Sequence, residues 1–152
     1  MANKMFPSPE KLMSKYPKPG EYCSQANDEC AVRISIAMHE NNIDISKSNS
    51  YRKTHKHGGI IHQPSAQALA DWLSSAKRLG RPKIFEKEKQ GERWKKIDFI
   101  TRNGLIYFVH PHRGGDGPGH IDVIYNGKIG SGFYENRLIW FWEYVDGKYI
   151  SN

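Results

Sequence analysis

The sequence predicts an α+β fold in which two helices precede an antiparallel sheet. Three observations carry that prediction. Apolar residues recur at helical spacing in two stretches of the first half. After Pro82 the pattern changes to short apolar and alternating runs of strand length. Those runs are separated by tight-turn dipeptides, Asn103-Gly104, Asn126-Gly127 and Asp146-Gly147, which join antiparallel neighbours without a helical crossover.

Taken in order, residues 1–20 contain Pro7, Pro9, Pro17 and Pro19 and read as an extended arm with one helical turn around Glu10–Lys15. The first long helix is expected over about 29–40. Asn27 or Asp28 would cap it, Ala31, Val32, Ile34, Ile36, Ala37 and Met38 make it mostly buried, and Asn41-Asn42 ends it. A loop rich in Lys, His and Ser runs from Ser46 to His57 and closes with Gly58-Gly59. Pro64-Ser65 opens a second helix with Ala66, Leu69, Ala70, Trp72, Leu73 and Ala76 in register, ended by Gly80. Strands are then expected at Lys83–Phe85, Ile97–Thr101, Leu105–His110, His120–Tyr125, Lys128–Phe133 and Leu138–Val145.

The chain has 152 residues, one domain's worth, and residues 1–152 are read as a single domain with residues 1–22 as its arm. Aromatics at 12% exclude a disordered tail, and no apolar run approaches the ~20 residues of a membrane span. The first residues lack the apolar segment of a secretory signal. A formal charge of +7 favours anionic partners such as nucleic acid or an acidic polymer, but the basic residues are scattered and mixed with acids. With only Cys23 and Cys30, there is no disulfide framework, although one bridge between them is allowed.

Cys30 falls in the first turn of the first helix, where unsatisfied N–H groups and the dipole favour a thiolate; the plain alternative is a small buried hydrophobe. His120 follows the glycine-rich stretch Gly114–Gly119 and begins a strand, where it could be a base or a simple strand end. Period-2 geometry puts His120, Asp122 and Ile124 on one face of that strand. A cysteine at a helix start and a histidine at a strand start together make the papain-like arrangement for acyl transfer. His55, His57, His62, His110 and His112 match no metal-ligand spacing, and the glycine stretch matches no phosphate-binding fingerprint. Alternation groups Trp140, Trp142 and Tyr144 on one face, so core packing accounts for much of that aromatic run.

Two blocks carry a resemblance. Asp28-Glu-Cys30-Ala-Val-Arg33-Ile-Ser35 resembles the Cys-x-[Ile/Val]-Arg-[Met/Leu/Ile]-Ser block of the type VI secretion amidase effectors, family four. Gly119-His120-Ile-Asp-Val-Ile-Tyr-Asn126-Gly127 is similar to that family's Gly-His-[Val/Ile]-x-Leu-Trp-Asn-Gly block. Weaker similarity at Ala66–Leu73, Gly80-x-Pro82, Asn103–Val109 and Leu138–Trp142 keeps the same order. The resemblance implies an NlpC-like, papain-type fold and a peptidoglycan amidase that cuts the D-glutamate–meso-diaminopimelate amide of stem peptides. It implies an antibacterial toxin made in the cytoplasm and delivered to the periplasm of target cells, with a cognate immunity protein as partner. By position, Cys30 would be the nucleophile, His120 the general base, and Arg33 either structural or substrate-facing. No metal or organic cofactor is required, and neither nucleic-acid binding nor membrane insertion is expected.

The third catalytic member departs from the family, which places an aspartate about a dozen residues after the histidine. Counting back from the Asn126-Gly127 turn sets Phe133 opposite His120 and Ser131 opposite Asp122. Asp122 is therefore the candidate that orients His120, with Ser131 assisting, and Glu135 is the reserve if a bulge at Gly130 or Gly132 shifts the register. Two rival readings are a basic nuclease-type toxin, supported by the charge and histidine content, and a non-catalytic binding domain on a decayed papain-like fold, supported by the missing acid.

Overall fold

A computed structural model describes residues 6–17, 29–48, 55–57, 60–63, 65–75, 78–109 and 119–151. The helices are α1 (Pro9–Ser14), α2 (Glu29–Glu40), α3 (Ala66–Leu73) and α4 (Lys96–Phe99). The strands are β1 (His55–His57), β2 (Ile60–His62), β3 (Lys83–Glu86), β4 (Gly104–Phe108), β5 (His120–Tyr125), β6 (Lys128–Ile129), β7 (Leu138–Val145) and β8 (Lys148–Tyr149). The main sheet runs β3-β7-β4-β5-β6 with β8 added to β7, and every pairing in it is antiparallel.

Local chemistry sets these elements. Ser8 caps α1, its hydroxyl accepting from Lys11 N at 3.2 Å, and Pro9 follows at the first helical position, where its missing N–H costs nothing. Ser65 caps α3 in the same way through Ala68 N at 3.1 Å. Asn126 and Gly127 both take positive φ, as the two-residue hairpin turn requires, and Tyr125 pairs with Lys128 across it.

Two apolar clusters sandwich the sheet. On one face, Cys30, Ala31, Ile34, Ala37 and Met38 of α2 and Leu69, Ala70 and Leu73 of α3 pack on Leu105, Tyr107, Ile121, Val123 and Trp142. On the other, Phe99 of α4 and the loop residue Phe133 pack on Ile106, Phe108, Ile124, Ile139 and Phe141. Burying each of these large side chains contributes on the order of 1.5–3 kcal/mol. The alternation expected in β7 holds: Trp140, Trp142 and Tyr144 join the helical side, and Trp142 donates its indole N–H to Gly80 O at 2.9 Å.

The structure corrects several expectations. Residues 96–99 are a helical turn rather than part of a strand, because Asp98 Oδ2 accepts from Lys95 N at 2.7 Å and closes the first turn; Ile97, which a strand would half-bury, is 75% exposed. The loop expected from Ser46 to His57 instead ends in strand β1, which pairs antiparallel with β2 beyond it, and Ile45–Ser48 is a 3-10 turn. The strand expected over 128–133 stops at Ile129, α3 ends at Leu73 rather than at Gly80, and Lys148–Tyr149 adds a further strand, β8, after the Asp146-Gly147 turn. The caps Asn27 and Asp28, Pro64, Ala76, Cys23, His110, His112 and residues 114–118 lie outside the described residues, as do the side chains of His55, His57 and His62.

Candidate active site

Cys30 is the second residue of α2 and is 7% exposed. The first four N–H groups of a helix have no partner inside it, so the sulfur stands where the backbone presents positive dipole ends. One turn further on, Arg33 donates from Nε and a terminal nitrogen to Pro17 O at 3.3 and 3.2 Å and lies 4.7 Å over the Tyr16 ring. Arg33 thus ties the start of α2 to the arm that precedes it.

His120 opens β5, and its side chain is 5% exposed. Gly119 is required just before it, since a Cβ there would collide with the Tyr107 ring. Tyr134 stacks on the imidazole at 4.1 Å and 24°, and Phe108 lies against it at 5.4 Å. Nε2 is 3.0 Å from Gly132 O. A carbonyl oxygen only accepts, so that bond puts the proton on Nε2 and leaves the lone pair on Nδ1.

Asp122 is fully buried and brought directly to this ring, with Oδ2 3.4 Å from His120 Nε2. The same oxygen accepts from Ser131 N at 2.7 Å, Ser131 Oγ at 2.7 Å and Gly132 N at 3.0 Å, while Oδ1 accepts from Val123 N at 2.9 Å. Burial alone would push the Asp122 carboxyl up. The hydrogen bond and charge of His120, followed by the Ser131 N–H and hydroxyl, outweigh it and hold the group below its usual range. The hairpin count is kept at Ile124–Ile129 and Tyr125–Lys128, then fails: after Gly130 N bonds Val123 O at 3.0 Å, the chain leaves the ladder and wraps over the carboxylate. Ser131 thus meets Asp122 as the count expects, but His120 meets Gly132 O instead of sitting in a ladder opposite Phe133. Glu135 is exposed and lines a charged cleft of about 530 Å³ with Lys87, Arg93, Lys95 and Asp98.

The pleat of β5 assigns its side chains to two faces. Ile121 and Val123 enter the cluster that contains Cys30, whereas His120 and Asp122 share the face of Ile124 and Phe108. Past Ile124, β6 gives β5 no further ladder partner, so the edge beside Asp122 is covered by residues 130–134 and by Tyr16. Sequence reasoning missed Tyr16 and Tyr134 as neighbours of this site. A tyrosine in a proline-rich arm and another in a loop carry no periodicity that could reveal them.

Residues 26–142 match a family model described as type VI secretion system (T6SS) amidase effector protein 4, Tae4. No curated protein matches the sequence. Among solved structures, the fold is similar to the effector of the Tae4/Tai4 effector–immunity system from Salmonella typhimurium, at 18% identity over 75% of this chain and 71% of that one, with a TM-score of 0.54. It is also similar to Salmonella typhimurium Tae4 in complex with the immunity protein Tai4 from Enterobacter cloacae, at 15% identity over 74% and 71%, with a TM-score of 0.53. A papain-like, NlpC-like α+β fold is the result, and the matched span covers both Cys30 and His120. The chain belongs to the Tae4 family of type VI secretion system amidase effector proteins.

Proposed function

We propose that this chain is a cysteine amidase that cuts the D-glutamate–meso-diaminopimelate amide of peptidoglycan stem peptides, with Cys30 as nucleophile, His120 as general base and Asp122 as the group that orients and charges the imidazole. The observation that carries this reading is the doubly held imidazole. Gly132 O, 3.0 Å from Nε2, fixes the tautomer, and the buried Asp122 carboxylate beside the same nitrogen stabilises the imidazolium once it forms.

In this reading, Nδ1 of His120 takes the Cys30 proton and the thiolate attacks the amide carbonyl. The backbone N–H groups of the first turn of α2, that of Cys30 among them, hold the tetrahedral oxyanion. Nδ1–H then protonates the leaving amine of diaminopimelate, and water hydrolyses the thioester. A link between the nucleophile's helix and the acid supports the assignment: Arg33, one turn after Cys30, stacks on Tyr16, and Tyr16 shares the contact at Gly130 with Asp122. In this reading thiol and imidazole start from opposite faces of β5, so they have to meet around its edge rather than across the sheet. The net charge of +7 suits a wall polymer rich in carboxylates.

The solved relatives are effector–immunity complexes, and we propose a cognate immunity protein for this chain as well. Among the described residues no helix is long and apolar enough to cross a membrane, and we propose delivery to the periplasm of target cells, where the substrate is. The test is mass spectrometry of Gram-negative sacculi digested with the purified protein. Fragments with a new amino terminus at diaminopimelate are expected, and they should vanish with Cys30→Ala and with His120→Ala. Fragment release that survives either substitution would reject the reading.

A further inference from the structure

Asp122 is buried in a pocket whose outer wall comes from far away in sequence. The arm around α1 is fastened to the domain at several points: Tyr149 donates to Pro7 O at 2.8 Å, Tyr125 to Glu10 at 2.5 Å, and Asn41 to Lys11 O at 3.2 Å. Arg33 then grips the far end through Pro17 O. These ties deliver Tyr16 to the acid. A Cβ added at Gly130 would collide with Asp122 Oδ1 and fall 2.6 Å from Cε2 and Cζ of Tyr16, so carboxylate and ring close on the same glycine.

Among the described residues, the Tyr16 hydroxyl is buried without a hydrogen bond of ordinary geometry, although it stands close enough to Ser131 and Asp122 for both to act on it. Burial first, then the Asp122 charge, push the phenol far above its ordinary range, so it adds no second negative charge beside the carboxylate. The ring itself is a flat apolar wall, with the Arg33 guanidinium stacked on it at 4.7 Å. The charged or titratable groups facing Asp122 are His120 from β5, and Tyr16 with Arg33 behind it. Water admitted at Tyr16 would solvate the carboxylate, compete for its donors and screen its attraction for the imidazolium.

We propose that Tyr16 is a positioning residue of the amidase reaction, acting through Asp122: its ring seals the acid pocket against water and keeps the carboxylate locked beside His120. This rests on the catalytic assignment proposed above. It also makes the arm part of the active site, since the ring that closes the acid pocket is carried by residues that precede α2.

The test compares Tyr16→Ala, which removes the wall, with Tyr16→Phe, which keeps it and deletes the hydroxyl. Kinetics on a soluble stem-peptide fragment are read together with the His120 ring Nε2–H resonance of the resting protein by 1H–15N NMR. Tyr16→Ala is expected to lower kcat at least tenfold with KM changed less than twofold, and to broaden or abolish the ring N–H signal through exchange with water. Tyr16→Phe is expected to keep the signal and hold kcat within about threefold of wild type. Should Tyr16→Ala fail to fold, Gly130→Ala, which pushes the same ring and carboxylate apart, is expected to give the same loss of kcat and of the signal. Wild-type kcat and an intact ring signal in Tyr16→Ala would overturn the proposal, as would equal losses in Tyr16→Phe and Tyr16→Ala. The ring signal is read without substrate, so a wild-type protein that releases no peptide would sink the amidase reading while leaving the Tyr16–Asp122–His120 coupling open to measurement.

Discussion

Replacing Asp122 with Asn removes one charge and almost no volume. In the wild-type protein the carboxylate accepts from three backbone N–H groups and one hydroxyl. The amide can keep its oxygen toward Ser131 and Gly132, which turns its NH2 against Val123 N and leaves that donor unpaired, at about 1–3 kcal/mol of stability. The catalytic cost is electrostatic. His120 keeps its tautomer through Gly132 O, so the imidazole is not inverted, but the forming imidazolium loses a charge 3.4 Å away. At an effective dielectric of about 20, that attraction has a ceiling of about 5 kcal/mol, part of which the amide dipole recovers. A loss of about 3–4 kcal/mol corresponds to kcat lower by about 10²–10³. Rates of fragment release, with circular dichroism confirming the fold, measure it. A folded Asp122→Asn variant within threefold of wild-type kcat would refute the role of Asp122 in orienting and charging His120.

Further outcomes follow from the same contacts. Because the folded protein holds the Asp122 carboxyl below its usual range, the carboxylate contributes stability above its unfolded value near 3.9, and that contribution is lost as the pH falls through the folded value. The stability gap between wild type and Asp122→Asn in urea titrations should therefore be widest above about pH 5 and narrow on acidification; a gap that widens below pH 4 contradicts this. Ser131→Ala loses one 2.7 Å bond but leaves Ser131 N and Gly132 N in place, so kcat should fall less than tenfold and stability by about 1 kcal/mol. Gly119→Ala drives a methyl into the Tyr107 ring and should cost about 1–3 kcal/mol, visible as a melting temperature lower by about 3–10 °C.

The parts of the fold that were legible in the sequence are those with strong periodicity. Helix α2, β5 and β7 fall where the apolar pattern puts them, and the Asn-Gly turn fixes the first two pairs of its hairpin. What escaped depends on single polar contacts or on distance. One capping carboxylate, Asp98, turns an apparently alternating run into a helical turn. Strand β1 is His-Lys-His, where strand patterning expects apolar residues, so its pairing with β2 leaves no apolar signal in it. At the site, the pairing of His120 with Asp122 could be read from the strand period, and Ser131 from the turn count. The departure of the chain at Gly130 could not, because it is driven by a buried carboxylate gathering backbone donors rather than by any local preference. Tyr16 lies more than a hundred residues from Asp122 in sequence, and only the folded arm joins them.

Whether sulfur and imidazole act as one unit is answered most directly by alkylating Cys30 with iodoacetamide near pH 6 in a Cys23→Ser background. If Nδ1 of His120 draws the proton from the thiol, His120→Ala should slow the reaction at least tenfold while the fold is retained. Equal alkylation rates with and without the imidazole would contradict the account.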